Sequence, residues 1–167
     1  MELNQALIAE ISMEAANTRK MLERVPLEKG DYKPHEKSMT LARLSTHVAE
    51  LTGWVEMTMT QDGLDFSKME YKPTIATNTE ELIAILEKNL AKAVGALNNA
   101  SPEEFYKMWT LSTGEKIHFT LPKVAVVRSF ALSHLYHHRG QLSVYLRLLD
   151  VPVPGMYGPS KDDTNNM

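Results

Sequence analysis

Leu7, Ile11, Ala15, Thr18, Leu22 and Val25 recur at the three-and-four spacing of one helical face, and Pro26, which has no N–H to continue the pattern, stops it. Residues 27–38, with Gly30, Asp31 and Pro34, read as a connection. Ser38 or Thr40 then caps a second amphipathic stretch, Leu41, Leu44, Val48, Leu51 and Val55, predicted to run to about residue 61. Asp62-Gly63 is a turn-forming pair that opens a polar loop through to Asn78. Asn78 and Glu81 have capping-box spacing, and Leu82, Leu86, Leu90, Ala93 and Leu97 supply the buried side of a third helix.

Ser101-Pro102-Glu103-Glu104 has the cap, first-turn proline and acids of a short helical start. Alternation replaces helical spacing at once: Trp109, Leu111, Ile117, Phe119 and Leu121 flank Ser112-Thr113-Gly114-Glu115, the pattern of a small hairpin or extended crossover. After Pro122, Val124, Val127, Ala131, Leu142, Tyr145 and Leu149 form the seam of a fourth helix reaching about Asp150, and Pro152, Pro154, Gly155, Gly158 and Pro159 forbid regular helix beyond it. No internal repeat is present. The expected fold class is therefore all-α: a four-helix bundle with a long crossover, room in it for a small hairpin, between helices three and four. One domain is expected over residues 1–160, with 161–167 a disordered tail.

The fourth helix carries the candidate chemistry. His134 and His138 fill its apolar seam four residues apart, so both rings share one helical face and are able to converge on one ion. His47 lies three residues after Leu44, on the apolar side of the second helix. Three imidazoles would then meet inside the bundle as metal ligands; the competing reading is three core histidines satisfied by carbonyls or hydroxyls. His137 is an alternative to either partner of the pair, although it points about 100° away from His138 around the helix. His35, beside Pro34, and His118, in the alternating stretch, read as loop and surface residues.

Composition narrows the function classes. A chain of 167 residues with 43% hydrophobic content suits one compact domain. A net charge of -3 with scattered lysines and arginines offers no basic face for nucleic acid. No apolar run approaches the roughly 20 residues of a membrane span, and Met1-Glu2-Leu3-Asn4-Gln5 lacks a signal-peptide pattern, so a cytoplasmic location without membrane partners is expected. The absence of cysteine excludes disulfides, thiolate ligands and a protein thiol nucleophile, so sulfur chemistry would require an external thiol.

His47, His134 and His138, the run Arg139-Gly140-Gln141-Leu142, and the closing Val153-Pro154-Gly155-Met156-Tyr157-Gly158-Pro159 together resemble the DinB/YfiT-like superfamily over nearly the whole chain. That resemblance implies a cytoplasmic bacterial bundle, often a homodimer, that holds one divalent ion, zinc or nickel foremost, on the three histidines. It also implies relatives that include thiol-dependent S-transferases and a maleylpyruvate isomerase. The family name reflects induction by DNA damage and does not imply DNA binding.

Three neutral imidazoles leave a divalent ion an open position for water or substrate. Leu135 follows His134 where a His-Glu-x-x-His metalloprotease places its glutamate base, which argues against a peptidase. The expected function is a metal-dependent transferase that joins a low-molecular-weight thiol to an electrophilic small molecule. The alternatives are a metal-dependent hydrolase and a non-catalytic metal- or small-molecule-binding protein of the stress response. Gln141 is nominated beside the three histidines, to orient a ligand or substrate or else to pack inward. Arg139 is read as a carboxylate clamp, an exposed arginine or a dimer-surface ion pair, Gly140 as a point of close helix approach, and Trp54 as core or pocket wall, with core favoured.

Overall fold

A computed structural model describes residues 2–70 and 72–163. Helix α1, Leu3–Leu22, buries Leu7, Ile11, Ala15, Thr18 and Leu22, the face its spacing predicts. Helix α2, Leu41–Glu50, is capped by Thr40, whose side chain accepts the Arg43 N–H at 3.3 Å; of the two candidate caps, Thr40 acts. The helix expected to run to about 61 is instead broken after Leu51, and α3, Gly53–Thr60, starts anew. A side chain at Gly53 would place its Cβ 3.0 Å from Asn89 Oδ1, so glycine lets the joint approach helix α4, Thr79–Asn99. Asn78 caps α4 by accepting the Glu81 N–H at 2.9 Å, and the Glu81 carboxylate reaches back to the Thr77 N–H at 2.8 Å.

The expectation of an all-α four-helix bundle is not met, because the chain also builds a three-stranded mixed sheet. Strands β2, Met108–Thr113, and β3, Lys116–Pro122, form the antiparallel hairpin that the alternation allowed, pairing Trp109 with Leu121 and Leu111 with Phe119. The third member, β1, Gly63–Asp65, lies in what reads as polar loop and pairs parallel to β2 at the edge, Leu64 opposite Leu111. Such pairing requires a long crossover, here the one containing α4. Gly63 permits it: a Cβ there would lie 2.5 Å from the Thr110 carbonyl oxygen.

The last helical stretch is not uniform either. Helix α5, Lys123–Val126, passes into a π-helical segment, Val127–Ser133, and then into helix α6, His134–Leu148. Asp150, in the left-handed region with φ 57°, ends the stretch. Residues 161–163 form a turn in which Asp162 accepts from Arg147 and the Val153 N–H; the rest of the expected tail, 164–167, lies outside the described residues.

One cluster around Met21, Leu44, Val48, Leu86, Leu142 and Leu146 fills one end of the molecule. A second, around Leu7, Ile11, Val55, Ala93, Leu97 and Val127, fills the other, and Trp109, Leu111 and Val126 seal the sheet onto it. Trp54 touches all three clusters. Lys123, fully buried, ties the hairpin to its neighbours by donating to Glu104 at 2.5 Å and to the Met59 carbonyl at 3.3 Å. No helix among the described residues is long and apolar enough to cross a membrane.

Candidate metal centre

Helices α2 and α6 pack against each other, and their seams deliver the three histidines to one point. One ligand nitrogen from each of His47, His134 and His138 lies within 4.8 Å of the other two. His47 Nε2 and His134 Nε2 are 3.4 Å apart. An ion about 2 Å from each nitrogen of a tetrahedral pair needs them about 3.3 Å apart, so this pair already has ligand spacing. The rings of His134 and His138, one turn apart on α6, have centroids 4.7 Å apart, and the His47 ring meets both edge-on.

Electrostatics favour the lone-pair form that a metal needs. Burial pushes the His47 imidazole down to about 4 from its ordinary 6.5, with His138, Arg43 and His134 adding to the fall. Burial lowers His134 as well, and then the neighbouring His138 does; its Nδ1 is turned towards the Phe130 carbonyl, which opposes the fall, without a hydrogen bond of normal geometry. His138 is lowered by burial, against the opposing effect of its hydrogen bond to Gln141 Oε1. All three rings are half-buried.

One side chain holds a ring from behind, and a second lies close to another. Gln141 Oε1 lies 2.8 Å from His138 Nδ1, so an Nδ1–H donated to it leaves Nε2 as the free lone pair. The Glu50 carboxylate lies 4.0 Å from His47 Nδ1 and also accepts from Arg43 at 3.2 Å. Glu50 was not foreseen, yet its signal is the one that marks Gln141: an acceptor three residues after a histidine on the same helix.

The remaining nominations fall elsewhere. Arg139 is only 3% exposed and faces α1, donating to Glu14 Oε2 at 2.5 Å, to Thr18 Oγ1 at 3.1 Å and to the Tyr157 hydroxyl, so it is neither an exposed arginine nor a clamp at the centre. Gly140 is exposed, and among the described residues nothing beyond its own stretch of helix lies within 4 Å of where its Cβ would be. His137 is exposed and outside the cluster, with its ring centroid 4.9 Å from that of His138. His35 accepts the Lys37 N–H at 3.2 Å in its loop, and His118 lies on the sheet 2.9 Å from Thr113 Oγ1.

The donor set fits a divalent ion: three neutral imidazoles, one of them hydrogen-bonded to an acceptor behind it, and no thiolate. The same depressed basicity carries a cost in acid. Because folded His47 stays neutral down to about 4 while the unfolded ring binds a proton near 6.5, stability of the metal-free protein falls as pH drops through that window. The loss from His47 should be on the order of 2 kcal/mol, after allowing for its partial solvation. Thermal melts of chelator-treated protein from neutral pH to below 5 should show it, and His47→Gln should flatten the slope. An equally steep fall in that variant would place the acid sensitivity elsewhere.

The DinB family profile matches residues 1–167. Protein YrdA of Bacillus subtilis (strain 168) is 27% identical over 154 residues, covering 90% of this chain and 85% of that protein. Among solved structures, a DinB-like protein from Bacillus cereus ATCC 10987 superposes with a TM-score of 0.70 at 19% identity, over 92% of this chain and 97% of the other. A DinB-like protein of Bacillus subtilis, YjoA, gives 0.67 at 18% identity over 88% and 96%. A putative DinB family member from Exiguobacterium sibiricum 255-15 gives 0.65 at 21% over 90% and 93%. These structural likenesses establish the fold.

Proposed function

Since this chain belongs to the DinB family, we propose that it is a divalent-metal-dependent enzyme that transfers a low-molecular-weight thiol to an electrophilic small molecule. The observation that carries the reading is the convergence of three neutral, half-buried imidazoles in a chain without cysteine. Bound there, a zinc or nickel ion supplies Lewis acidity and favours the deprotonated form of an external thiol. His47, His134 and His138 would hold the ion, while Gln141 fixes the His138 ring so that its Nε2 lone pair is free for the ion. In the reaction the sulfur lone pair forms a C–S bond, the thiol proton passes to solvent, and the displaced group leaves with its bonding pair.

Transfer is favoured over hydrolysis because no carboxylate among the described residues joins the three histidines. Leu135 occupies the position of a metalloprotease glutamate, and Glu50 approaches the Nδ1 edge of His47, behind the ligand atom, with Arg43 already on it. A binding protein without turnover is the second reading, favoured by one observation. A cavity of about 230 Å³, lined by Leu3, Pro102, Phe105 and Tyr106, contains none of the three histidines.

The test is a matrix of cysteine, glutathione and coenzyme A against monochlorobimane and chlorodinitrobenzene, run with zinc- and nickel-loaded protein. A rate well above that of the free ion, abolished by chelation, is expected for at least one pair. No rate above free metal for any pair would leave the binding-protein reading.

A further inference from the structure

Beside the metal centre, three aromatic rings from three different elements meet without being sealed off. Trp54 of α3 and Phe130 of the π-helical segment stand edge to face, with centroids 4.7 Å apart and planes at 89°. Phe119 of β3 lies 5.6 Å from Phe130, and Phe130 in turn lies 5.6 Å from the imidazole of His134. All three rings are half-buried. Among the described residues, Trp109 Nε1 and His134 Nδ1 are buried without a hydrogen-bond partner, and the Trp109 ring centroid lies 6.0 Å from that of Phe119. Unsatisfied buried groups are rare and call for an explanation, and both of these belong to rings that touch the wall, Trp109 at Phe119 and His134 at Phe130.

The backbone beneath the wall is irregular in the same place. The π turn ends at Ser133, immediately before the ligand His134, and Ser133 Oγ donates to the carbonyl of Arg128, five residues back. π-Helical turns are uncommon and gather at functional sites, because the extra residue per turn redirects side chains. Here the redirected turn carries Phe130 to the imidazole and to Trp54 together.

We propose that this wall is the acceptor subsite: the electrophile carries a flat, unsaturated or aromatic body that packs on Phe130, Trp54 and Phe119, which presents its reacting carbon to the thiol held at the histidines. The inference rests on the thiol-transfer reading for its chemistry, but recognition of a flat ligand is measurable without turnover. Edge-to-face and offset contacts between aromatic rings add about 0.5–1.5 kcal/mol beyond area burial, which distinguishes a planar ligand from a saturated one of the same size.

Zinc-loaded protein is titrated with dinitrobenzene, a nitroaryl with no leaving group, and quenching of tryptophan emission is followed; phenol and cyclohexanol serve as competitors. Saturable quenching is expected, displaced by phenol at several-fold lower concentration than by cyclohexanol. Phe130→Leu should weaken the Kd by about three- to tenfold. Phe119→Leu, on the hairpin rather than on a helix, repeats the test if Phe130→Leu loses helical content. Equal competition by the two alcohols, or an unchanged Kd in a folded variant, overturns the proposal. The two readings fail separately: planar selectivity without thiol transfer leaves the subsite standing, whereas transfer without planar selectivity removes the subsite alone.

Discussion

His138→Ala lowers the affinity of the protein for zinc by more than about a hundredfold and leaves its helical content intact. Outer-sphere partners of metal ligands already cost about 10–100-fold when removed, and a ligand itself must cost more. With three protein donors, losing one leaves two, too few to hold an ion against buffer and solvent. The fold survives for a separate reason. His138 is half-buried at the edge of the centre, while the apolar seams of α1, α2, α4 and α6 close on Leu44, Val48, Leu86 and Leu142 without it. Isothermal titration and circular dichroism read the two halves independently. Wild type should bind about one ion per chain, and a His138→Ala protein that still binds with wild-type affinity would show that the ring is no ligand.

Arg139→Ala, one residue away, should have the opposite profile. Arg139 and Glu14 are a fully buried ion pair, extended by Thr18 and by the Tyr157 hydroxyl, which also donates to Glu14 at 2.8 Å. Removing the guanidinium leaves the Glu14 carboxylate buried without its partner, a loss of about 3–5 kcal/mol. That is a large part of the roughly 5–15 kcal/mol by which a domain is stable. Urea unfolding should show the drop. The double variant Glu14→Leu/Arg139→Met, which removes both charges, should recover much of it, since a buried pair replaced by apolar groups is often neutral. A single-variant loss under about 1 kcal/mol would mean that solvent already reaches the pair.

The two expectations differ because neighbouring positions on α6 face opposite neighbours, and the sequence discloses one of them far better than the other. Histidines at a four-residue interval on an apolar seam are readable by eye, as is His47 beside Leu44. Arg139 is not, since its partner Glu14 is 125 residues away and a charged residue next to a seam ordinarily reads as exposed. Glu50 and Gln141 could have been found together, each three residues after a histidine of the cluster on its own helix.

The same contrast explains the fold. The hairpin was legible because Trp109, Leu111, Phe119 and Leu121 alternate, which is a local signal. Strand β1 was not, because three residues of Gly-Leu-Asp carry no periodicity and acquire their conformation by pairing with β2 across the whole of α4. The break between α2 and α3 was hidden by Leu51 and Val55, which continue the apolar spacing through Thr52-Gly53 while the backbone turns. A π turn is equally silent, since one extra residue per turn over 127–133 barely disturbs a seam.

The claim on which the rest depends is that His47, His134 and His138 hold one ion between them. Anomalous diffraction from crystals of zinc-loaded protein tests it directly. A single strong peak within about 2.0–2.1 Å of a nitrogen from each of the three rings is the predicted result. A peak at His118 or His137 instead, or no peak near the three rings with zinc in excess, would contradict it.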